Sequence, residues 1–374
     1  MLDKPRITNQ FLERIVEKIS ISETMDEKAR KSYKVVGDWL SDGLKTFNVI
    51  IMPQGSFNLG TVIKPISEKD DYDIDLVCLL EFGRGLPDRE IKNLVGDRLK
   101  SHETYKKMLD EEGKRCWTLQ YNEFHMDILP CVPMLNRFSK YEHMTEIHLT
   151  HKISENRYIP HYSNPEGYLE WFESRMRDIL LETKMDAMKI RSFASIEKVP
   201  TYSVKTPLQK VVQLLKRHRD IFFKNKSSLA PISILVTTLA AFSYNGERDL
   251  LSALTNIVEH FQEGITNING TFLVENPAYK GENFAEKWNE DEDKPKAFFD
   301  WVKQLKADIE LLNKHNLLAD YRQFSRAFGD SPVTSGLNYV FPNGSNNKSF
   351  LSSIPLQTVN IVKPNRPWGD SIDE

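Results

Sequence analysis

Four aspartates carry the first chemical signal in this chain of 374 residues. In the run DYDIDLVCLL, Asp71, Asp73 and Asp75 alternate with Tyr72, Ile74, Leu76, Cys78 and Leu80. A strand sends successive side chains to opposite faces, so the apolar set meets a core and the carboxylates share the other side. Same-face neighbours lie roughly 7 Å apart, a span two carboxylates can share around divalent ions roughly 3.5–4 Å from each other. In EFHMDILP the same alternation buries Phe124, Met126 and Ile128 and turns Asp127 the opposite way, a third carboxylate from a second strand. Three such groups repel unless a cation neutralises them, and hard oxygen ligands with retained waters suit Mg²⁺. The competing reading is a solvated acidic edge, which an isolated DxD often is.

Just upstream, MPQGSFNLGT reads strand, turn, helix start. Gly55 lets the backbone approach a ligand, and Ser56 with the amides after it can hold phosphate at a helix N-terminus. Alone, the turn equally fits an ordinary N-cap at Ser56.

These residues need a scaffold. Apolar residues at helical spacing predict helices over Thr8–Ile19 and Glu23–Leu44. FNVIIM and YDIDLVCLL predict strands, as do KRCWTLQY and EFHMDILPCVPML, the last ended by Pro130 and Pro133. Asp88–Gly113 carries a charged helical pattern, and a first domain of mixed helix and sheet runs to about residue 200. A polar stretch with Ser192, Ser195, Pro200 and Pro207 separates it from a helical half opened by TPLQKVVQLLKRHRDIFF. There Leu208, Val211, Val212, Leu215 and Phe222 share one face, with Lys210, Lys216, Arg217 and Arg219 on the others. SILVTTLAAFSY, LLSALTNIVEHF and PKAFFDWVKQLKADIELLNKH continue as helices, and the chain from Asn338 on reads as loop and tail.

Composition narrows the class. The net charge of −3 offers no broad basic surface for nucleic acid, so any anion site needs locally placed Lys and Arg. Cys78, Cys116 and Cys131 form no CxxC pair and read as reduced core thiols. The longest apolar stretch, Ala230–Phe242, is too short and too rich in Ser and Thr to span a bilayer, and the N-terminus lacks a signal-peptide core. A soluble cytoplasmic protein is expected.

Gly-Ser turn, paired aspartates on the next strand and a lone aspartate on a later one, in that order, resemble the DNA polymerase β-like nucleotidyltransferase superfamily. QGSFNLGTVIKP, DYDIDLVCLL, HMDILPCVP, SNPEGYLEWF, LQKVVQLLKRHRDIFF and NPAYKGENFAEKW look further like the bacterial cGAS/DncV-like nucleotidyltransferases, the CD-NTases, over residues 50–290. The resemblance implies an α+β fold: a palm of mixed sheet with flanking helices, a C-terminal helical domain, and the active site in the cleft between them. Its boundaries would be a palm with N-terminal helices over 1–200, helices over 201–340 and a tail over 341–374.

It implies that Gly55 and Ser56, flanked by Gln54, grip a donor triphosphate, and that Asp73, Asp75 and Asp127 bind two Mg²⁺, with Mn²⁺ as a substitute. Lys210 and Ser228 would add triphosphate contacts from the helical domain. Asp70 and Asp71 fall at the strand entrance and are expected to be solvated, and PISEKDD is expected as a loop. Trp171 and Phe172 are expected to pack, and His125 and His151 to be structural or to line the substrate. The activity implied is joining nucleoside triphosphates into a cyclic di- or trinucleotide signal in antiphage (CBASS) defence. A separate effector would sense the product, the enzyme would be a monomer, and, with no Cys/His zinc insertion, no double-stranded DNA activator is expected. Alternative acceptors are RNA or tRNA, as in tailing enzymes, or a protein or small molecule, as in adenylyltransferases. A silent nucleotide-binding scaffold would have no need to hold three like charges together. Base selection is set by pocket shape from residues scattered over both domains, and no motif carries it.

Overall fold

The computed structural model describes residues 3–67, 71–134, 145–191 and 204–342. The chain opens with α1 (Lys4–Ile19) and α2 (Glu23–Gly43), then β1 (Val49–Gln54), the single turn α3 (Gly55–Asn58) and β2 (Tyr72–Leu80). Helices α4 (Asp88–Lys100) and α5 (Glu103–Met108) lead to β3 (Trp117–Gln120) and β4 (Phe124–Pro133). Short strands follow: β5 (Ile147–Leu149), β6 (Lys152–Ser154), β7 (Arg157–Tyr158) and β8 (His161–Ser163). After α6 (Pro165–Arg175) and α7 (Arg177–Arg191) come α8 (Pro207–Phe222), α9 (Ser233–Ser243) and α10 (Leu250–His260). Two small hairpins, β9 (Thr266–Ile268) with β10 (Thr271–Leu273) and β11 (Glu275–Asn276) with β12 (Tyr279–Asn283), precede α11 (Asp293–Asn313), α12 (Tyr321–Phe328) and α13 (Asp330–Val340).

The main sheet runs β1-β2-β4-β5-β8, with β3 also on β4; β2 and β4 are parallel and the other pairs antiparallel. Tyr72, Ile74, Leu76, Cys78 and Leu80 pack with Phe124, Met126 and Ile128 against Val36, Leu40, Ile91 and Val95 of α2 and α4. The alternation read from the sequence therefore holds on both strands. Beyond the aspartates the opposite face also turns apolar, where Val77 and Leu79 meet Leu129, Cys131 and Leu149. Cys78, Cys116 and Cys131 are buried thiols, and burial pushes the Cys78 thiol up to about 12, so it stays protonated.

Pro130 does not end β4, which continues to Pro133. Ile128 is the last residue paired with β3 and Cys131 the first paired with β5, and the Pro130 carbonyl accepts from Thr150 N on that side. The missing N–H thus falls in the gap between two partner strands, where no ladder bond is lost.

The helical half has its own core, and α1 belongs to it. Phe11, Leu12, Ile15 and Ile19 pack with Leu208, Val211, Leu254 and Leu337, so the two N-terminal helices split between the layers rather than both joining the sheet. Tyr168 and Phe172 of α6 lie in the same core, while Trp171 is half-buried against it. Helix α8 starts at Thr206, whose hydroxyl accepts from Gln209 N while Gln209 Oε1 accepts from Thr206 N, with Pro207 at the first helical position. Asn338 stands inside α13 rather than in a tail. Among the described residues no helix is long and apolar enough to cross a membrane. Asp70, the stretch around Ser192, Ser195 and Pro200, and the segment from residue 343 lie outside the described residues.

Candidate active site

A cavity of about 270 Å³ opens between the sheet and helices α8 and α9. Gln54, Gly55, Ser56, Asp71, Asp73, Asp75 and Asp127 line its sheet wall, and Lys216, Arg219, Lys224, Ser227 and Ser233 line the helical wall.

Strand register brings the acids together. Asp75 stands directly opposite Asp127 in the parallel pairing of β2 with β4, and Asp73 follows two residues back on the same face. Thr118 of β3, paired with Asp127, donates its hydroxyl to Asp127 Oδ1 at 2.5 Å and fixes that carboxylate. Asp75 is held well above the usual carboxylate range by burial first, then by Asp127 and Asp73, with Lys216 opposing. Among the described residues no three His, Cys, Asp or Glu side chains close into a ready metal cage. The donor set still fits Mg²⁺: carboxylates crowded against a cavity, on the model of sites completed by substrate phosphate and water. A cation there would remove the repulsion that now raises Asp75.

Gly55 has φ 60° and joins β1 to α3. A Cβ at this position would lie 2.4 Å from Asp75 Oδ2, so glycine is required both by the left-handed backbone and by contact with the acid. Ser56 does not cap the helix: Gln54 is the N-cap, with no side-chain cap bond, and Ser56 lies within the first turn. Gln54 is buried, and among the described residues its Nε2 has no hydrogen-bond partner.

The helical wall departs from expectation. Lys210 does not line the cavity; it pairs with Glu13 of α1 at 2.9 Å. Ser228 is also outside the lining, its carbonyl accepting from Lys294 Nζ at 2.5 Å, while its neighbour Ser227 faces in. Lys216 and Arg217 are buried, at 4% and 5% exposure. They belong to a row of donors on α8 that grips the segment after the Gly-Ser turn. Gln209 Nε2 bonds Leu59 O at 2.9 Å, Gln213 Nε2 bonds Val62 O at 2.6 Å, Lys216 Nζ bonds Thr61 O at 3.1 Å and Arg217 bonds Lys64 O at 2.6 Å. Burial lowers Lys216 to about 8. Arg219 is spread over Asp220, the Pro231 carbonyl and Ser233 Oγ.

Asp71 is half-buried beside His125, 3.3 Å from its Nε2, rather than fully solvated. His125 and His151 lie outside the cavity lining, and burial with the nearby Arg115 lowers His151 to about 4. Ser163, Asn276 and Glu282 also line the cavity; they stand in SNPEGYLEWF and NPAYKGENFAEKW, on three strands too short for a periodic signal to give their direction.

A mixed sheet presenting three carboxylates and a glycine turn to a cleft roofed by helices is the arrangement of a polymerase β-like nucleotidyltransferase. Residues 49–131 match the model of the cyclic GMP-AMP synthase DncV-like nucleotidyltransferase domain. The chain is 30% identical over 338 residues to a c-di-GMP synthase of Roseivirga ehrenbergii, covering 87% of this chain and 85% of that one. It is 25% identical over 301 residues to the cyclic dinucleotide synthase CdnG of Bradyrhizobium diazoefficiens, covering 75% of this chain and 70% of the relative. The solved structure of that CD-NTase in complex with GTP superposes with a TM-score of 0.68 at 20% identity, covering 89% of this chain and 98% of the other. The chain belongs to the bacterial cGAS/DncV-like nucleotidyltransferases, the CD-NTases.

Proposed function

We propose that the protein joins ribonucleoside triphosphates into a cyclic oligonucleotide by successive in-line transfers in this cleft. In each transfer a ribose hydroxyl of the acceptor attacks the α-phosphate of the donor, a new P–O bond forms, and pyrophosphate leaves. The observation that carries the reading is the register of Asp127 opposite Asp75, with Gly55 pressed against the same carboxylate. The relatives named as cyclic dinucleotide synthases support the cyclic product.

Gln54 Nε2 and the backbone at Gly55–Ser56 would bind the donor triphosphate, and the cationic helical wall would offset its charge. Asp127, oriented by Thr118, would take the proton from the attacking hydroxyl. Mg²⁺ held by Asp73, Asp75 and Asp127 would supply charge neutralisation and a lowered hydroxyl pKa. In this reading the product is a signal for a separate effector in antiphage defence.

Incubating the purified protein with all four ribonucleoside triphosphates and Mg²⁺, then phosphatase, and reading products by mass spectrometry tests this. A phosphatase-resistant cyclic oligonucleotide that disappears with a chelator is expected. Products formed only on added RNA or protein would move the chain to a tailing or adenylylating activity.

A further inference from the structure

A hydrogen-bond path runs from the helical half of the molecule to the Gly-Ser turn on the sheet wall. It starts at Gln209 of α8, which is fully buried and stands outside the cavity lining. Both ends of its side-chain amide are used. Oε1 accepts from Thr206 N at 2.8 Å within the capping box, and Nε2 donates to Leu59 O at 2.9 Å. A glutamate would close the capping box as well as a glutamine does. The amide adds a donor, and that donor crosses to the segment after the turn.

Leu59 passes the contact on. Its own N–H donates to Gly55 O at 3.1 Å, and two residues later Thr61 N donates to Ser56 O at 2.9 Å. In a trans peptide unit the C=O of one residue and the N–H of the next point opposite ways. Holding Gly55 O against Leu59 therefore turns the N–H of Ser56 away from the segment, and holding Ser56 O against Thr61 does the same for Phe57. A turn built on a left-handed glycine has no side chain there to fix its peptide planes, so their direction rests on these bonds. Lys216 grips Thr61 O in the same manner, but it also lines the cavity and brings charge to it. Gln209 is neutral and acts at a distance.

Resting on the reading of Gly55–Ser56 as the donor triphosphate grip, we propose that Gln209 is a positioning residue for that turn. Through Leu59 it fixes the Gly55–Ser56 peptide in the direction that presents its N–H to phosphate. A residue of the helical half thus sets the affinity of the sheet wall for the donor. A grip held in shape beforehand binds more tightly, because the ligand does not have to order it.

One turn further along α8, Gln213 supplies the control. It is fully buried too, and its Nε2 donates to Val62 O at 2.6 Å. Among the described residues, however, the segment's bonds to the carbonyls of Gly55 and Ser56 come from Leu59 and Thr61, not from Val62. A clamp that only held the layers together would make the two glutamines equivalent.

The test is calorimetric titration of the full chain with ATP and with GTP, Ca²⁺ replacing Mg²⁺ to suppress turnover, alongside urea unfolding. Gln209→Met and Gln213→Met should both lower the urea midpoint, since each leaves a buried carbonyl unpaired. Gln209→Met should weaken triphosphate binding by about tenfold, while Gln213→Met should leave it within about twofold of the unaltered protein. Equal losses in the two variants, or no loss in Gln209→Met, overturn the assignment. Should Gln209→Met not fold, Gln209→Glu, which keeps the acceptor for Thr206 N and lacks the amide donor, takes its place with the same expected loss. If neither triphosphate binds the unaltered protein, this inference and the reading of the cleft fall together. If the variants differ as expected but no cyclic product forms, only the proposed reaction falls.

Discussion

On the sheet wall of the cleft, Asp75 and Asp127 occupy paired positions of parallel strands, and burial and mutual repulsion drive Asp75 well above the usual carboxylate range. On the helical wall, Lys216 is equally buried, but its ammonium is bonded to the Thr61 carbonyl within a row of similar contacts along α8. The first wall keeps like charges crowded at a cost to the fold. The second hands its charge to backbone acceptors and helps hold the layers together. A wall that works against stability is where a ligand is expected, whereas one tied into the protein serves stability first.

Neutralising Asp75 is the strongest way to break this contrast. A carboxyl whose folded pKa lies above its unfolded value adds stability only below the unfolded value, and costs stability as pH rises through the folded one. At pH 7 in metal-free buffer, Asp75→Asn should therefore raise unfolding stability, read as a later urea midpoint. The same variant should lower nucleotide transfer by roughly 10³-fold. A variant that is both less stable and still active would make Asp75 an ordinary structural acid.

Lys216 should show the opposite dependence on pH. Its folded-state value stands at about 8, against 10.5 in the unfolded chain. Between those values the unfolded state holds the proton that the folded state has released, so this lysine adds stability as pH rises through the window. At about 1.4 kcal/mol per unit, the gain reaches about 3 kcal/mol at most. Comparing Lys216→Met with the parent from pH 7 to pH 10.5 isolates it, because Lys92 and Lys205, also lowered to about 8, are common to both proteins. The variant should fall progressively behind as pH rises; a constant difference would show that Lys216 is not desolvated.

How much of the site was legible follows from the same geometry. On β2 and β4 a period of two separates an apolar face from an acidic one, so Asp73, Asp75 and Asp127 declare their direction in the sequence. Gly55 is legible because only glycine combines its φ with the nearness of Asp75. Helix α8 is different, being buried on nearly all sides from Pro207 to His218. Its apolar residues mark the core, yet nothing local tells which polar residues grip a loop about 150 positions earlier. The side of α1 that meets the helical half is likewise fixed by long-range packing. Ser163 and Glu282 meet across 119 positions from strands only three and five residues long.

Lys210 gives the smallest expected effect and the finest test of the two walls. It lies on the same helix as Lys216, six positions earlier, which at 3.6 residues per turn places the two about 120° apart around the axis. That rotation takes Lys210 from the cavity to α1, where it pairs with Glu13 while remaining 24% exposed. A partly exposed pair of this kind contributes up to about 1 kcal/mol, and less in salt. Lys210→Met should therefore change stability by less than about 1 kcal/mol and leave the KM for triphosphate within about twofold. Lys216→Met, which removes a cation from the cavity lining, should raise that KM by about tenfold, the loss of one charge-assisted contact. Steady-state kinetics on the two variants side by side decide the matter. Equal effects would remove the distinction between the two lysines, and with it the assignment of Lys216 rather than Lys210 to the triphosphate.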